Sequence, residues 1–270
     1  MTGLIDLFKE ALAYPTKDYK ALLIFGVVFL VANLTSVLGS WGIEINTTVI
    51  ELLAIVTLIL YFVTQGYILS VLKETINFSD DIPALDIFAN LVDGLKLLVV
   101  EIVYYIIPTI IVLVVGWLSG TYSTVFKIVE YMGQEVTNTT VNATAMVNTV
   151  PQEYWSALFA GLLITAVVAM ILYIIFGLLL EIAMCRLAKY DSIGEAINIK
   201  EVIGDIQEIG VGRYIGWYIL LLIITIVLGI ILGLFTAIPY VGILIGFLVI
   251  APFIALFAAR ALGNLYSDAE

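Results

Sequence analysis

Three carboxylates lie in stretches too apolar to welcome a charge: Glu51, Glu101 and Glu181. An ionisable group in a lipid-embedded segment marks an ion path, a proton relay or a paired site, because hydrocarbon penalises its charge. Glu101 follows Lys96 by five residues and Glu181 precedes Arg186 by five. At helical rise, both sit roughly 7.5 Å inside one boundary. The sharp reading is a shared vestibule that binds a cation or relays protons. The plain reading is that each carboxyl reaches interfacial water or takes up a proton. Two anions at one depth repel unless an ion or proton separates them. Asn33 and Gln65 lie mid-span, suited to an interhelical hydrogen bond or a solute contact. Glu101, Glu181, Gln65 and Asn33 therefore form the candidate intramembrane polar or ion site. Pro108 and Pro252 are candidate interruptions, of the kind that free backbone carbonyls in transporters. Gly229–Gly233 and Gly242–Gly246 have the spacing that lets two membrane helices pack closely.

Other chemistries are excluded by residue type. The chain of 270 residues has no histidine and one cysteine, Cys185. That removes imidazole bases, Ser-His-Asp and Cys-His nucleophiles, most zinc sites and any intrachain disulfide. No phosphate loop or paired intramembrane Asp is present, so no enzyme, cofactor or metal centre is expected. A net charge of −11 disfavours nucleic acid as a partner.

The elements that must position these groups are apolar runs. Hydrophobic residues make up 63% of the chain and charged residues 12%. A soluble domain could not hide that much apolar surface, whereas a bilayer accepts it. Six spans are expected: Ala21–Leu38, Thr48–Leu72, Leu97–Leu118, Ser156–Met184, Tyr214–Phe235 and Ile238–Ala258. Alternating them puts Lys9, Lys17, Lys20, Lys73, Lys96, Arg186, Lys189, Lys200, Arg213 and Arg260 on one side and Lys127 on the other. The positive-inside rule then places both termini in the cytoplasm of a multi-pass cell-membrane protein. Trp41, Trp117, Trp155 and Trp217 fall at span ends, as in an aromatic belt.

The fold class expected is all-α, six transmembrane helices in two parallel-related halves with amphipathic interfacial helices on the cytoplasmic side. Residues 1–20 form an N-terminal amphipathic helix, with Leu4, Ile5, Phe8, Ala11 and Leu12 on one face and Pro15 ending it. Residues 21–118 are a first half with an acidic linker helix at 80–94, begun at Asp80-Asp81-Ile82-Pro83 and ended at Gly94. Leu85, Phe88, Leu91 and Val92 make its apolar stripe. Residues 119–155 are an extracellular polar loop, with a short surface helix over Thr121–Met132 and glycosylation triplets at Asn138 and Asn142; another begins at Asn46. Residues 156–258 are the second half. Its acidic linker helix at 191–210 opens on a capping box at Ser192–Glu195 and carries Ile199, Ile203 and Ile206 opposite Glu201, Asp205 and Glu208. Residues 259–270 are a cytoplasmic tail. In each half a cation, an acidic linker and a glycine separate two spans, a parallel internal repeat.

Ile82-Pro83-Ala84-Leu85-Asp86 with Leu91-Val92-Asp93-Gly94-Leu95-Lys96 resembles the central signature of an uncharacterised archaeal membrane-protein family, the domain of unknown function 4013. Gly66-Tyr67 and Ile238-Pro239-Tyr240-Val241-Gly242 are similar to its other recurring features. The resemblance implies six-helix membrane topology and no catalytic residues.

Two functions fit. One is a small-solute or ion transporter or channel-like protein with a cleft between the halves, using Glu101 and Glu181. The alternative is a non-catalytic scaffold or accessory subunit that binds lipids or protein partners, with a protein docking on the acidic cytoplasmic helices. Membrane lipids are partners in either case.

Overall fold

The computed structural model describes residues 2–135 and 150–269, and among them every regular element is helical. Asn138 and Asn142, with their glycosylation triplets, lie outside the described residues. The helices are α1 (Leu4–Ala13), α2 (Tyr19–Ala32), α3 (Leu34–Ser40), α4 (Thr47–Ile76), α5 (Ile87–Leu118), α6 (Thr121–Glu135), α7 (Gln152–Tyr190), α8 (Ile193–Ala196), α9 (Ile199–Ile209), α10 (Val211–Thr236), α11 (Val241–Ile245) and α12 (Ala251–Ser267). A π turn over Gly246–Ile250 joins the last two. Five helices are long and apolar enough to cross a membrane: α4, α5, α7, α10 and the run from α11 through α12. The α2–α3 pair makes a sixth if it counts as one span, bent by 70°.

Two compact units divide the chain. One comprises Met1–Glu101 and Leu179–Glu270, the other Ile102–Leu178. These limits fall within α5 and within α7, not between the two halves read from the sequence.

In the first unit, α12 is the hub, packed against α1, α2, α4 and α10. Its end, Ala259–Ser267, is buried throughout. The expected tail at 259–270 is thus corrected: the helix continues to Ser267 inside the packing. Helix α4 begins on Asn46, whose side chain accepts from the Val49 amide at 2.9 Å, so this residue serves as an N-cap. Asp18 caps α2 in the same way. Helices α4 and α5 cross where two glycines face backbone. A Cβ on Gly66 would overlap the Asn90 carbonyl, and one on Gly94 the Phe62 carbonyl. The family-like Gly66 and Gly94 thus allow close approach.

The linker helix at 80–94 is also corrected. Residues 79–86 are not helical, and α5 begins at Ile87 and runs through Gly94 without a break. Asp86 caps it, accepting from the amides of Phe88 and Ala89, while Asn90 Oδ1 accepts from the Asp86 amide. The segment before it is strapped by tertiary bonds. Tyr14 donates to the Asp81 carbonyl at 3.0 Å and Tyr67 to the Pro83 carbonyl at 2.8 Å. The buried stripe of α5 is Asn90, Gly94, Leu97, Val100 and Tyr104, whereas Phe88 and Val92 are exposed.

The second linker forms two helices, α8 and α9. Ser192 caps α8 as expected, but the Glu195 carboxylate turns to Arg186. On α9 the inward residues are Val202 and Ile209, and Ile199 and Ile203 point out, a rotation from the expected stripe. On α1, Leu7, Phe8 and Ala11 are buried while Ile5 is exposed, because α1 packs on α12 and on Trp217. The Phe8 and Trp217 rings stack at 6.1 Å, and Tyr214 stacks on Trp217 at the same separation. Trp217 is fully buried and so does not belong to an interfacial belt.

In the second unit, Thr109 and Tyr173 hydroxyls pair at 2.8 Å, and Gly161 lies against Ser119 and Thr121. Helix α6 extends the surface helix expected at Thr121–Met132 as far as Glu135. It buries Ile128 and exposes Phe126 and Val129.

Candidate functional site

The polar residues selected from the spans are satisfied locally or stand apart. Asn33 Nδ2 donates to the Phe29 carbonyl of its own helix at 2.8 Å, and the backbone breaks there. The Ala32 carbonyl freed by the break accepts from Thr57 at 2.9 Å. Gln65 Nε2 donates to Tyr61 of its own helix at 3.0 Å. Glu101 and Glu181 are both half-buried, and among the described residues no hydrogen bond or ion pair joins them. The electrostatic neighbours of Glu181 include Tyr214 and Tyr218.

Pro108 sits inside α5, which stays helical around it. Pro252 stands in the first turn of α12, directly after the π turn. Having no N–H, it cannot donate to Leu248, four residues back. The Leu248 carbonyl lies against α2 where a Cβ on Gly26 would overlap it. Gly242 and Gly246 do pack closely, on Phe235, Ile238, Thr236 and Leu232. A Cβ on Gly229 or Gly233 would meet nothing from a neighbouring helix within 4 Å, so their assignment to helix packing is corrected.

What the structure brings together is a charged layer in the first unit. Arg186, near the end of α7, is almost wholly buried. Its Nη1 donates to both Asp205 oxygens at 3.0 and 3.1 Å, its Nη2 to Glu195 at 2.8 Å and its Nε to the Glu195 carbonyl at 3.0 Å. Tyr266 of α12 donates to Asp205 at 2.8 Å. Asp205 therefore ties three helices. Arg260, equally buried, donates to Asp80, to the Ser79 carbonyl and, at 2.7 Å, to Glu10. Its guanidinium lies over the Tyr14 ring. Burial raises the Tyr14 hydroxyl above the ordinary tyrosine range, although the Arg260 charge opposes this.

Arg213 closes a clasp, donating to Asp268 and to the Thr2 carbonyl at 2.9 Å. The Thr2 amide and hydroxyl also donate to Asp268, at 2.9 and 2.7 Å. Burial pushes the Asp268 carboxyl up, but the bonds from Thr2 and Arg213 outweigh it and hold it at about 2. Lys96 bridges Asp93 at 2.9 Å and Asp191 at 2.6 Å. The bond from Lys96 lowers Asp191 below the usual carboxylate range, and a bond from Lys17 does the same for Asp80.

Sequence reasoning used these cations only as markers of side. Their partners lie up to 250 residues away, beyond any local pattern. The one available signal was the excess of acids in the segments that follow spans two and four. Among the described residues, no three metal-ligating side chains gather.

Helices long and apolar enough to cross a membrane, with no strand among the described residues and a charged layer gathered in one unit, define an all-helical polytopic membrane protein. The family model described as a protein of unknown function (DUF4013) matches residues 49–237, and the chain belongs to that family. Gly66, Asp86 and Gly94 fall within the match, and the motif at 238–242 lies just beyond it. No curated protein and no solved structure matches the chain.

Proposed function

We propose that this protein is a non-catalytic membrane scaffold or accessory subunit, working at its charged end with both termini in the cytoplasm. One observation carries the reading. Lys96, Arg186, Arg213 and Arg260 are each locked to acids from distant elements, which favours a rigid platform. Its rim is acidic, with Glu195 and Asp80 each about half exposed or more. Such a rim suits a partner with a basic segment. Placement in the cytoplasm rests on the cation bias. The parallel repeat is kept within this proposal, supported by the shared order of cation, acidic linker and glycine in the two halves. Crosslinking in native membranes tests the scaffold, with a recurrent basic partner lost on Glu195→Lys as the expected result. Recovery of no consistent partner sinks it.

Transport is the second reading, favoured by Glu181. This carboxyl is half-buried in α7 beside Tyr214 and Tyr218 and has no ion pair among the described residues. Flux into liposomes that falls at least tenfold on Glu181→Gln would select it over the scaffold.

A further inference from the structure

Where α2 enters its apolar run, a cavity of about 300 Å³ opens between that helix, α4 and the extended segment before α5. Ile82, Pro83 and Leu85 form one side, Ala21 and Ile24 the other, and Tyr67 the floor. The wall is held in place, since Tyr67 donates to the Pro83 carbonyl and its ring packs on Phe25 of α2 at 4.4 Å. Two motifs singled out in the sequence, Gly66-Tyr67 and Ile82–Leu85, thus meet here. Ile24 also belongs to the outward face of α2, where Leu23, Ile24 and Val27 are each about half exposed. In a bilayer that face meets hydrocarbon. The cavity is therefore open to lipid along one side.

Its mouth carries two charges, and only one is engaged. Asp18 caps α2, its Oδ1 accepting from the amides of Lys20 and Ala21 at 2.8 and 3.0 Å. That carboxylate is set against the positive end of the helix. Lys20 lines the same mouth, exposed and with no ion pair among the described residues, whereas Lys17 is bound to Asp80. Lys20 and Ile24 are four residues apart, about 6 Å of helical rise. The ammonium thus stands one turn above an apolar slot, the depth at which lysine reaches headgroups from a span end. Tyr19 beside it, 66% exposed, suits the same interface. A molecule with a phosphate above and a hydrocarbon chain below complements both parts.

We propose that this cavity retains one phospholipid, its phosphate on Lys20 Nζ and the first methylenes of a chain against Ile24, Ile82 and Leu85. The site goes beyond the scaffold reading and does not depend on it. Native mass spectrometry of the full chain in detergent tests it, titrating phosphatidylglycerol, diacylglycerol with the same chains, and glycerol 3-phosphate. Phosphatidylglycerol is expected to bind at least fivefold tighter than either fragment. Lys20→Gln, at an exposed side chain, should erase the preference over diacylglycerol, and Lys20→Arg should keep it. Lys9→Gln, removing an exposed cation elsewhere, should leave it unchanged. Ala84→Trp, which fills the slot, should weaken both lipids at least threefold. Equal binding of phosphatidylglycerol and diacylglycerol, a preference undiminished in Lys20→Gln, or an equal loss in Lys9→Gln overturns the proposal, leaving the cavity to bulk lipid without selection. Glycerol 3-phosphate binding as tightly as the lipid overturns it too, by assigning the mouth to a free phosphate ester.

Discussion

Arg186 concentrates the energetics of the charged layer in one side chain. Removing one member of a buried ion pair leaves the other charge uncompensated, at a cost of about 3–5 kcal/mol. Asp205, only 17% exposed, is the group left behind. Arg186→Ala should therefore lower thermal stability in detergent far more than Tyr266→Phe, which loses one hydrogen bond to Asp205 worth about 1 kcal/mol. Thermal melts of both variants read the difference. Asp268 gives a pH signature. Its folded value of about 2 lies below the unfolded one, so its contribution is full above about pH 4 and is lost as pH falls through the folded value. Wild type and Asp268→Asn should differ by a constant amount from pH 5 to 8, on the order of 2 kcal/mol, and converge toward pH 2. A gap that widened on acidification would contradict this assignment. None of these pairings was legible in the sequence, because partners 19, 55 and 61 residues apart leave no local spacing.

At the scale of elements, hydropathy located the spans, and GxxxG spacing found one closely packed pair, Gly242 and Gly246, but not the others. GxxxG spacing pointed to Gly229 and Gly233, which face open space. The close crossing instead uses Gly66 and Gly94, on different helices, each opposed by the other helix's carbonyl. No single-helix pattern encodes such a pair. Gly66→Ala and Gly94→Ala should each destabilise by about 1–3 kcal/mol through overpacking. Gly229→Ala and Gly233→Ala should be neutral or stabilising by about 0.5–1 kcal/mol. Denaturation of the four variants compares them directly. The acidic linker shows why local signals failed. Asp80 and Pro83 resemble a helix start, yet Tyr14, Tyr67 and Arg260 bind that backbone extended. The cap that does begin α5 is Asp86, six residues later. Likewise Asp205 read as the polar face of α9, and Arg186 draws it inward.

For the whole molecule, composition was enough to place most of the chain in lipid, since no water-soluble core could absorb so much apolar surface. Length carried less information. Helix α7 has 39 residues, about 58 Å of rise, nearly twice a bilayer core of about 30 Å. Its excess reaches the charged layer, as Arg186 and Tyr190 show. The end of α12, expected to be a cytoplasmic tail, is buried there as well. Hydrogen exchange should find Ala259–Ser267 as protected as the interior of α4, and trypsin should spare Arg260 until global unfolding. Rapid exchange at those amides would contradict the burial.

The clasp at Arg213 also bears on topology. Thr2 and Asp268 touch, so the first and last turns of the polypeptide occupy one compartment. A thread whose ends meet on one face of a sheet has pierced it an even number of times. Five straight rods give an odd tally. Counting the kinked pair hinged at Asn33 as a sixth passage is the reading that agrees with this contact, and labelling the loop after Ser40 from each side of the membrane tests it.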